Sequence, residues 1–170
     1  ILFIRLFSMT TQEYHRIVSQ HSDDVYRFAL RVCGDLEGAK DHLQEALASL
    51  WERHPSVEAA KGKSYLLSAV HHRAMDVFRR EALAPKVQEA LRHEESHSPH
   101  ERFDLADLME RAMQGLPPVQ RAALELCDVQ GYSYREIAQI LNLSDQQAGV
   151  YIHRARVSLR KMLIEYGYHA

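Results

Sequence analysis

The sequence predicts an all-α protein in which two small helical domains are joined by a flexible acidic linker, the C-terminal domain being a helix-turn-helix. Apolar residues recur at helical spacing along most of the 170 residues, a pattern typical of amphipathic helices. Only seven glycines and five prolines are present, so long runs lack a helix breaker. No run shows the strict alternation that indicates a half-buried strand.

The first domain is predicted to span residues 9–83 and to contain three helices. The first helix covers residues 10–33, although the polar run HSDD weakens the pattern near its middle. Asp35 is a suitable N-cap for a second helix that ends near residue 54, before Pro55. Ser64 is the expected N-cap of the third. Residues 1–8 precede Met9, which has the appearance of a natural start, and are interpreted as an N-terminal extension without an assigned function.

Residues 84–103 are predicted to form the linker, because this stretch is polar, acidic and interrupted by two prolines. The second domain follows over residues 104–170. Its helix LPPVQRAALELCDVQG has proline in the first turn and glycine just past the end. The sequences SYRE from Ser133 and SDQQ from Ser144 are then two capping boxes. Two capped helices separated by so short a turn predict a helix-turn-helix.

Charge is segregated by helix, although the chain as a whole carries a formal net charge of only −2. Residues 35–58 contain six acids and two bases, whereas residues 61–80 contain five bases and one acid. Residues 81–110 are acidic again, with eight acids and three bases. A single charged helix is usually a solvated face. Two neighbouring helices of opposite sign favour two different partners, a basic protein surface and a polyanion.

Enzymatic chemistry is not indicated, and no cofactor is expected. The sequence has no glycine-rich phosphate loop, no HExxH motif and no nucleophile in a recognisable setting. Cys33 and Cys127 are interpreted as buried free thiols, which fits a reducing compartment. No stretch is long and apolar enough for a membrane span. A soluble, cytoplasmic protein without membrane insertion is therefore expected.

From Met9 to Leu163 the chain resembles the extracytoplasmic-function (group 4) sigma factors, small two-domain specificity subunits of bacterial RNA polymerase. The stretch DHLQEALASLW is similar to their core-binding helix, and SYLLSAVHHRAMDVFRR to the segment that follows it. The stretch LPPVQRAALELCDVQGYSYREIAQILNLS, together with HRAR, is similar to their C-terminal signature. The resemblance implies that core RNA polymerase and promoter DNA are partners, that an anti-sigma factor is a further partner, and that the polymerase supplies the chemistry.

Three sets of candidate residues follow from this resemblance. Docking on core polymerase is assigned to one face of the acidic helix: Asp41, Gln44, Glu45, Leu47 and Trp51. Opening of the downstream promoter element is assigned to the basic segment: Lys61, Lys63, Ser64, Tyr65, His71, His72, Arg73, Asp76, Arg79 and Arg80. Binding of the upstream element as duplex is assigned to the helix-turn-helix: Ser133, Arg135, Ser144, Gln146, Gln147, Gly149, Val150, His153, Arg154, Arg156 and Arg160.

The chain departs from the family pattern at several of these positions. His71 and His72 stand where the family usually has a basic residue and an asparagine. Tyr65 takes the place of the usual tryptophan, and both core packing and base stacking remain open for it. Gly149 and Tyr151 stand where a lysine and an arginine are frequent. Gln can read adenine and Arg can read guanine, so the glutamines and Arg154 are the expected base readers.

Two other interpretations are open from the sequence. The C-terminal half alone would also fit a DNA-binding regulator with a helical sensor or dimerisation domain, and binding to core polymerase in the absence of DNA discriminates the two. The stretch HEESHSPHE, with His93, His97 and His100 among carboxylates, would fit a metal-responsive protein that binds Zn, Ni or Co. Pro99 and the polar setting favour a linker instead, and no metal site is assigned.

Overall fold

The computed structural model describes residues 8–83 and 105–166, and within these ranges the protein is helical and has no strand. The predicted all-α class is therefore confirmed. The predicted linker, the histidine-rich stretch with His93, His97 and His100, and residues 1–7 of the predicted N-terminal extension lie outside the described residues.

The N-terminal module consists of three helices: α1 (Thr11–Cys33), α2 (Leu36–Arg53) and α3 (Gly62–Leu83). Short 3-10 turns at His54–Ser56 and Ala59–Lys61 join the second and third helices. Helix α1 is continuous, so the polar HSDD run does not break it. It ends at Gly34, whose φ of 81° is the left-handed conformation that glycine adopts most readily.

The other helix ends in this module agree only in part with the expected caps. The Asp35 carboxylate accepts a 2.6 Å hydrogen bond from the backbone N–H of Gly38, as expected of an N-cap. The expectation for Ser64 was wrong, because α3 already begins at Gly62 and Ser64 lies inside its first turn. The preceding 3-10 turn leads directly into α3, so no side-chain cap is required at Ser64.

The C-terminal module contains α4 (Leu105–Gln114), α5 (Pro118–Leu124), α6 (Tyr134–Leu141) and α7 (Asp145–Glu165). Residues Glu125–Val129 continue α5 as a π-helical turn. Both predicted capping boxes are present, at Ser133 with Glu136 and at Ser144 with Gln147. Asn142 ends α6 with φ 55°, a conformation that asparagine tolerates better than most residues. Helices α6 and α7 therefore form the predicted helix-turn-helix.

The two modules pack directly against each other, which the sequence had not indicated. Helix α1 contacts α5 and the π-helical turn, and α3 contacts α5 and α6. The buried apolar side chains form one core that runs from Val25 and Phe28 in the first module to Leu126 and Ile137 in the second. Burying a side chain of this size contributes roughly 1.5–3 kcal/mol. The described modules thus share their apolar interior.

Both cysteines are free and half-buried in this structure. Burial, reinforced by the nearby Asp35 carboxylate, raises the pKa of the Cys33 thiol to about 11, so it remains a neutral thiol at physiological pH. In the ranges 8–83 and 105–166, no helix has the length and apolar character needed to cross a membrane.

Candidate functional surfaces

The predicted core-docking surface lies on the outer face of α2. Asp41, Gln44 and Glu45 are exposed there, one helical turn apart, and Leu47 is half-buried beneath them. The main packing partners of α2 are α1 and α3, both within the N-terminal module. We call the set Asp41, Gln44, Glu45, Leu47 and Trp51 the core-docking surface. Its carboxylates are exposed, whereas its two apolar side chains are partly buried.

Trp51 lies at one end of the core-docking surface in an aromatic cluster. Its indole is 44% exposed although it is the only tryptophan. The ring stacks on His54 at 4.9 Å between centroids, and Tyr14 meets it edge-on at 5.0 Å. The Tyr14 hydroxyl donates a 3.2 Å hydrogen bond to the backbone carbonyl of Leu47. Tyr14 and His54 therefore hold the exposed indole in place. The sequence interpretation did not assign either residue. The position of Tyr14 relative to Trp51 depends on how α1 crosses α2, whereas His54, three residues after Trp51, is a signal that could have been noticed.

The predicted downstream-promoter residues lie on the turn before α3 and on α3 itself. Four of their basic side chains pair with carboxylates of the N-terminal module. Lys61 bonds to Glu58 at 3.0 Å, and Lys63 bonds to Asp24 at 2.9 Å. Arg79 approaches Asp76 at 3.3 Å, and Arg73 pairs with Glu45. Exposed ion pairs contribute about 0–1 kcal/mol, so phosphate groups can displace such carboxylates at little cost.

The Arg73–Glu45 pair joins two predicted surfaces, because Glu45 belongs to the core-docking surface and Arg73 to the downstream-promoter set. Both side chains are about half exposed, at 43% for Arg73 and 52% for Glu45. Asp76 and Arg80, two further members of the downstream-promoter set, are also exposed. The two surfaces therefore meet along the boundary between α2 and α3.

The two adjacent histidines of α3 occupy different environments. His71 is 2% exposed, and its Nδ1 has no hydrogen-bond partner among the described residues. Burial, with a smaller contribution from His72, lowers the pKa of His71 to about 4. His72 is exposed and its Nδ1 lies 3.3 Å from the Ser68 hydroxyl. Of the two predicted DNA contacts, His72 presents its ring at the surface, whereas His71 is a neutral core residue in this structure.

Tyr65 is half-buried at the edge of a cleft of about 560 Å³ between the two modules. Its hydroxyl lies 2.7 Å from the hydroxyl of Ser49 on α2. The cleft is lined on one side by residues that include Lys61, Ser64 and Tyr65, and on the other by Glu136, Gln139 and Ile140 of α6. Three of the predicted downstream-promoter residues therefore line a cleft that α6 also lines, whereas the exposed residues of α3 in this set lie outside it: His72, Arg73, Asp76, Arg79 and Arg80.

The predicted upstream-promoter surface is the outer face of α6 and α7. Gln146, Val150, His153 and Arg154 are exposed along the first half of α7, and Ser133, Arg135, Ser144 and Arg160 are exposed around them. Gly149 is half-buried, and a Cβ there would lie 3.6 Å from the Tyr134 ring, an ordinary van der Waals contact. Apart from the half-buried Gly149, the positions named here are therefore individually accessible to solvent.

Two members of this set have partners within the module. The Gln147 side-chain oxygen accepts a 2.9 Å bond from the backbone N–H of Ser144 and so completes the capping box. Gln146, the other predicted adenine reader, is exposed and outside the capping box. Arg156 donates a 2.5 Å hydrogen bond to Asp128, and this bond raises the pKa of Arg156 while it lowers that of Asp128. Gln146 and Arg154 are thus better placed than Gln147 and Arg156 to contact DNA directly.

Sequence reasoning also missed a buried polar contact between the modules. Arg121 is 4% exposed and Glu125 is 2% exposed; Glu125 lies within the apolar run AALEL, and Arg121 directly precedes it. Two opposite charges four residues apart in such a run are a signal that could have been noticed, since ionisable residues are seldom fully buried without partners. Among the described residues, no group of three or more His, Cys, Asp or Glu side chains is arranged to hold a metal ion.

Comparisons with known proteins agree with this arrangement. A family model described as sigma-70 region 2 matches residues 17–83, and a model described as sigma-70, region 4, matches residues 106–159. The first range covers the N-terminal module without the start of α1, and the second runs from α4 into α7. Together the two ranges account for well over half of the chain.

Curated relatives match across both ranges. The chain is 30% identical over 161 residues to the ECF RNA polymerase sigma factor SigE of Mycolicibacterium smegmatis, covering 90% of this chain and 62% of SigE. It therefore spans less than two thirds of that relative. It is 25% identical over 158 residues to the ECF RNA polymerase sigma factor SigM of Bacillus subtilis, covering 91% of this chain and 95% of SigM.

A solved structure shares the fold. It is the sigma factor RpoE in complex with the anti-sigma factor NepR from Bartonella quintana, which superposes with a TM-score of 0.73 at 20% identity and covers 90% of this chain and 98% of that chain. Region 2 and region 4 models match in order on two packed helical modules, and the relatives are all sigma factors. The chain belongs to the sigma-70 family of RNA polymerase sigma factors, as a member of the extracytoplasmic-function type.

Proposed function

We propose that this protein binds core RNA polymerase as a group 4, extracytoplasmic-function sigma factor and directs initiation at a restricted set of promoters. The observation that carries the proposal is the exposed face of α2, where Asp41, Gln44 and Glu45 lie beside a half-exposed Trp51. An exposed indole leaves apolar surface in water, and tryptophan is enriched at the centres of protein interfaces. A basic, partly apolar partner surface suits this face.

Each module has its own role in this proposal. The N-terminal module, residues 9–83, docks on polymerase and holds a base of the opened downstream element. The C-terminal module, residues 104–170, places α7 in the major groove of the upstream element. Residues 84–103 connect the two. The protein has no catalytic role, because the polymerase supplies the chemistry. Because it would act on the bacterial transcription apparatus, we propose that it works in the cytoplasm, with an anti-sigma factor as a further partner.

Tethering explains how α7 can function with few cations on its first half. Arg154 is its first basic residue, since residues 145–153 contain no lysine or arginine. Once the N-terminal module is docked on polymerase, the attached helix-turn-helix encounters DNA at high effective concentration. Weak intrinsic affinity for DNA is then sufficient.

Run-off transcription tests the proposal. Purified protein is added to core polymerase, freed of other sigma factors, on a fragmented genomic template. Transcripts that depend on the added protein are expected from a small number of promoters. Complete absence of such transcripts would contradict the proposal, provided that the same core is active with an unrelated sigma factor. Binding to core polymerase without DNA distinguishes a sigma factor from a DNA-binding regulator.

A further inference from the structure

A cleft of about 530 Å³ lies in the N-terminal module, where the end of α1, the start of α2 and the second half of α3 meet. Clefts of this volume are large enough to hold a small molecule. Ala74 and Phe78 of α3 give it an apolar part. Among the described residues that line it, none is a lysine or an arginine and four are acidic: Asp35, Glu37, Asp41 and Glu81.

The carboxylates of this cleft lack the cationic partners that other acids of the module have. Glu58, for example, lies 3.0 Å from Lys61. Within residues 8–83 and 105–166, by contrast, no ion pair reaches Glu37, Asp41 or Glu81, and all three are exposed. Like charges that share a cleft repel one another. A bound cation would therefore stabilise this arrangement, and solvent exposure leaves the carboxylates within its reach.

His42 gives a second and independent indication of a ligand. Its imidazole lines the cleft and is only 9% exposed, and its Nδ1 has no hydrogen-bond partner among the described residues. In the tautomer that carries its proton on Nε2, Nδ1 is an acceptor. A buried acceptor without a partner costs free energy, and an N–H group bound in the cleft removes that cost. A cation with several N–H donors suits both the carboxylates and the imidazole.

The spread of the carboxylates indicates which kind of cation fits. Asp35 and Asp41 are about 9 Å apart along α2, at 1.5 Å per residue, and Glu81 belongs to a different helix. A single ammonium or guanidinium group bonds only to oxygens about 3 Å from its nitrogens, so it cannot bond to all of these at once. Several ammonium groups joined by methylenes can. The methylenes would lie on Ala74 and Phe78, as the aliphatic stem of a lysine lies along apolar surface.

We infer that this cleft is a binding site for a linear aliphatic polyamine. The ammonium groups of the ligand lie beside the carboxylates of α2 and α3. Its methylenes lie on the apolar part of the cleft, and one of its N–H groups donates to Nδ1 of His42. All of these contacts come from one module, so binding requires neither polymerase nor DNA.

Isothermal titration calorimetry with spermidine tests the site on the full-length protein at physiological ionic strength. Glu37→Gln/Glu81→Gln removes two exposed carboxylates from the cleft. An exposed ion pair changes affinity by up to about fivefold, so this variant is expected to bind spermidine about tenfold more weakly. Asp23→Asn/Asp107→Asn is the matched control, because it makes the same change in net charge at exposed acids outside the cleft. The control should bind as the wild type does.

Two further measurements separate a built site from general attraction to an acidic surface. Butylamine has one ammonium group and Mg²⁺ has no methylenes, so each should bind at least about tenfold more weakly than spermidine, as if two ion pairs were lost. Nitrogen-15 NMR of labelled histidines reports on the buried contact. The Nδ1 signal of His42, assigned by its absence from His42→Leu, should shift during the titration, whereas that of the exposed His15 should not.

Equal spermidine affinities of Glu37→Gln/Glu81→Gln and of the matched control would overturn the inference, and so would equal affinities for spermidine and Mg²⁺. Either result would show only a general attraction of cations to the protein. An unchanged Nδ1 signal of His42 at saturating spermidine would also overturn it, because the imidazole would then have no contact with the ligand.

Asp41 belongs both to this cleft and to the core-docking surface, so a bound polyamine should compete with core polymerase if α2 docks as proposed. Spermidine at about ten times its Kd should then weaken binding of core to the wild type about tenfold, and binding to Glu37→Gln/Glu81→Gln much less. Equal weakening in the two proteins would show charge screening and would rule out competition at the cleft. Failure of core to bind without spermidine would instead contradict the proposed function, while the calorimetric result for the cleft would stand.

Discussion

Helices α2 and α3 are neighbours in one module, but the residues assigned to partner binding on them differ in exposure to solvent. On α2, Asp41, Gln44 and Glu45 are turned to solvent. At the start of α3, Ser64 and Tyr65 line a cleft whose other wall belongs to the second module. The difference shows that opposite charge is only one of the features that separate the two surfaces. The packing of the modules leaves one surface accessible and covers part of the other.

Reversing the charge of the exposed face should have the largest effect. In Asp41→Lys/Glu45→Lys, two carboxylates that we assign to a basic polymerase surface become ammonium groups. Loss of a well-paired interfacial charge costs about 2–5 kcal/mol, so affinity for core polymerase should fall at least about 30-fold. Surface plasmon resonance with immobilised core measures this directly.

The matched control for that experiment carries the same change in net charge elsewhere. Asp23 on α1 and Asp107 on α4 are exposed acids outside the core-docking surface. Asp23→Lys/Asp107→Lys should bind core with nearly wild-type affinity. Equal losses in the two double variants would mean that only overall charge matters, and the assigned face on α2 would be wrong.

The pH dependence of stability should show that His71 on α3 is buried. Its pKa is lowered to about 4 in the folded protein, from an ordinary value of 6.5, because the charged imidazole would be buried. Below pH 6.5 the unfolded chain therefore takes up a proton that the folded chain does not. The free energy of unfolding should fall as pH decreases from 6.5 toward 4, by about 2 kcal/mol between pH 7 and pH 5.

Urea denaturation at the two pH values measures this loss. His71→Leu should reduce the pH dependence by most of that amount, because leucine keeps the buried volume and has no proton to gain. The exposed His15 provides the control, and His15→Gln should leave the dependence unchanged. Retention of the full dependence in His71→Leu would show that His71 is not the buried titrating group.

Tyr65 tests whether the covered face is a nucleic-acid surface at all. Stacking of a base on an aromatic ring contributes about 1–3 kcal/mol, so Tyr65→Ala should lower the yield of open promoter complexes about tenfold or more. Tyr65→Phe keeps the ring and loses only the contact with the Ser49 hydroxyl, so it should open promoters almost normally. Permanganate reactivity of unpaired thymines in the downstream element reports the open complex.

The control for this pair is Ser49→Ala, which removes the same hydroxyl contact from the other side. If Ser49→Ala and Tyr65→Phe lose the same amount of thermal stability relative to the wild type, the hydroxyl contact stabilises the fold. If Tyr65→Ala opened promoters as well as Tyr65→Phe, the ring of Tyr65 would serve core packing and not base stacking.

Local features of the fold could be predicted from the sequence because short segments determine them. Asp35, Gly34 and both capping boxes behave as their chemistry predicts. The start of α3 could not be placed in the same way. Two short 3-10 turns precede it, and their geometry depends on Met9, whose N–H donates to the carbonyls of His54 and Val57 at 3.2 and 2.9 Å. That contact joins distant parts of the chain.

The candidate surfaces were predictable to the extent that residue spacing determines a helical face. Asp41 and Glu45 are four residues apart and share a face, as expected. Spacing does not show how deeply a face is covered, so the burial of His71 could not be distinguished from the exposure of His72. The hydrogen bond from Arg121 to the Val32 carbonyl also could not be derived, because the two residues come together only through the packing of α5 on α1.

The Arg73–Glu45 pair, at the border of the two surfaces, should have the smallest effect and tests whether they are energetically independent. A double-mutant cycle of Glu45→Gln, Arg73→Gln and the combination isolates the coupling between the two side chains. Both are about half exposed, so solvent screening should keep the coupling energy below about 1 kcal/mol in the free energy of unfolding. In that case polymerase can bind the Glu45 carboxylate without disturbing α3, and the Arg73 guanidinium becomes available to contact phosphate. A coupling of about 2 kcal/mol or more would mean that docking on polymerase alters the DNA surface directly, and the two surfaces would have to be treated as one.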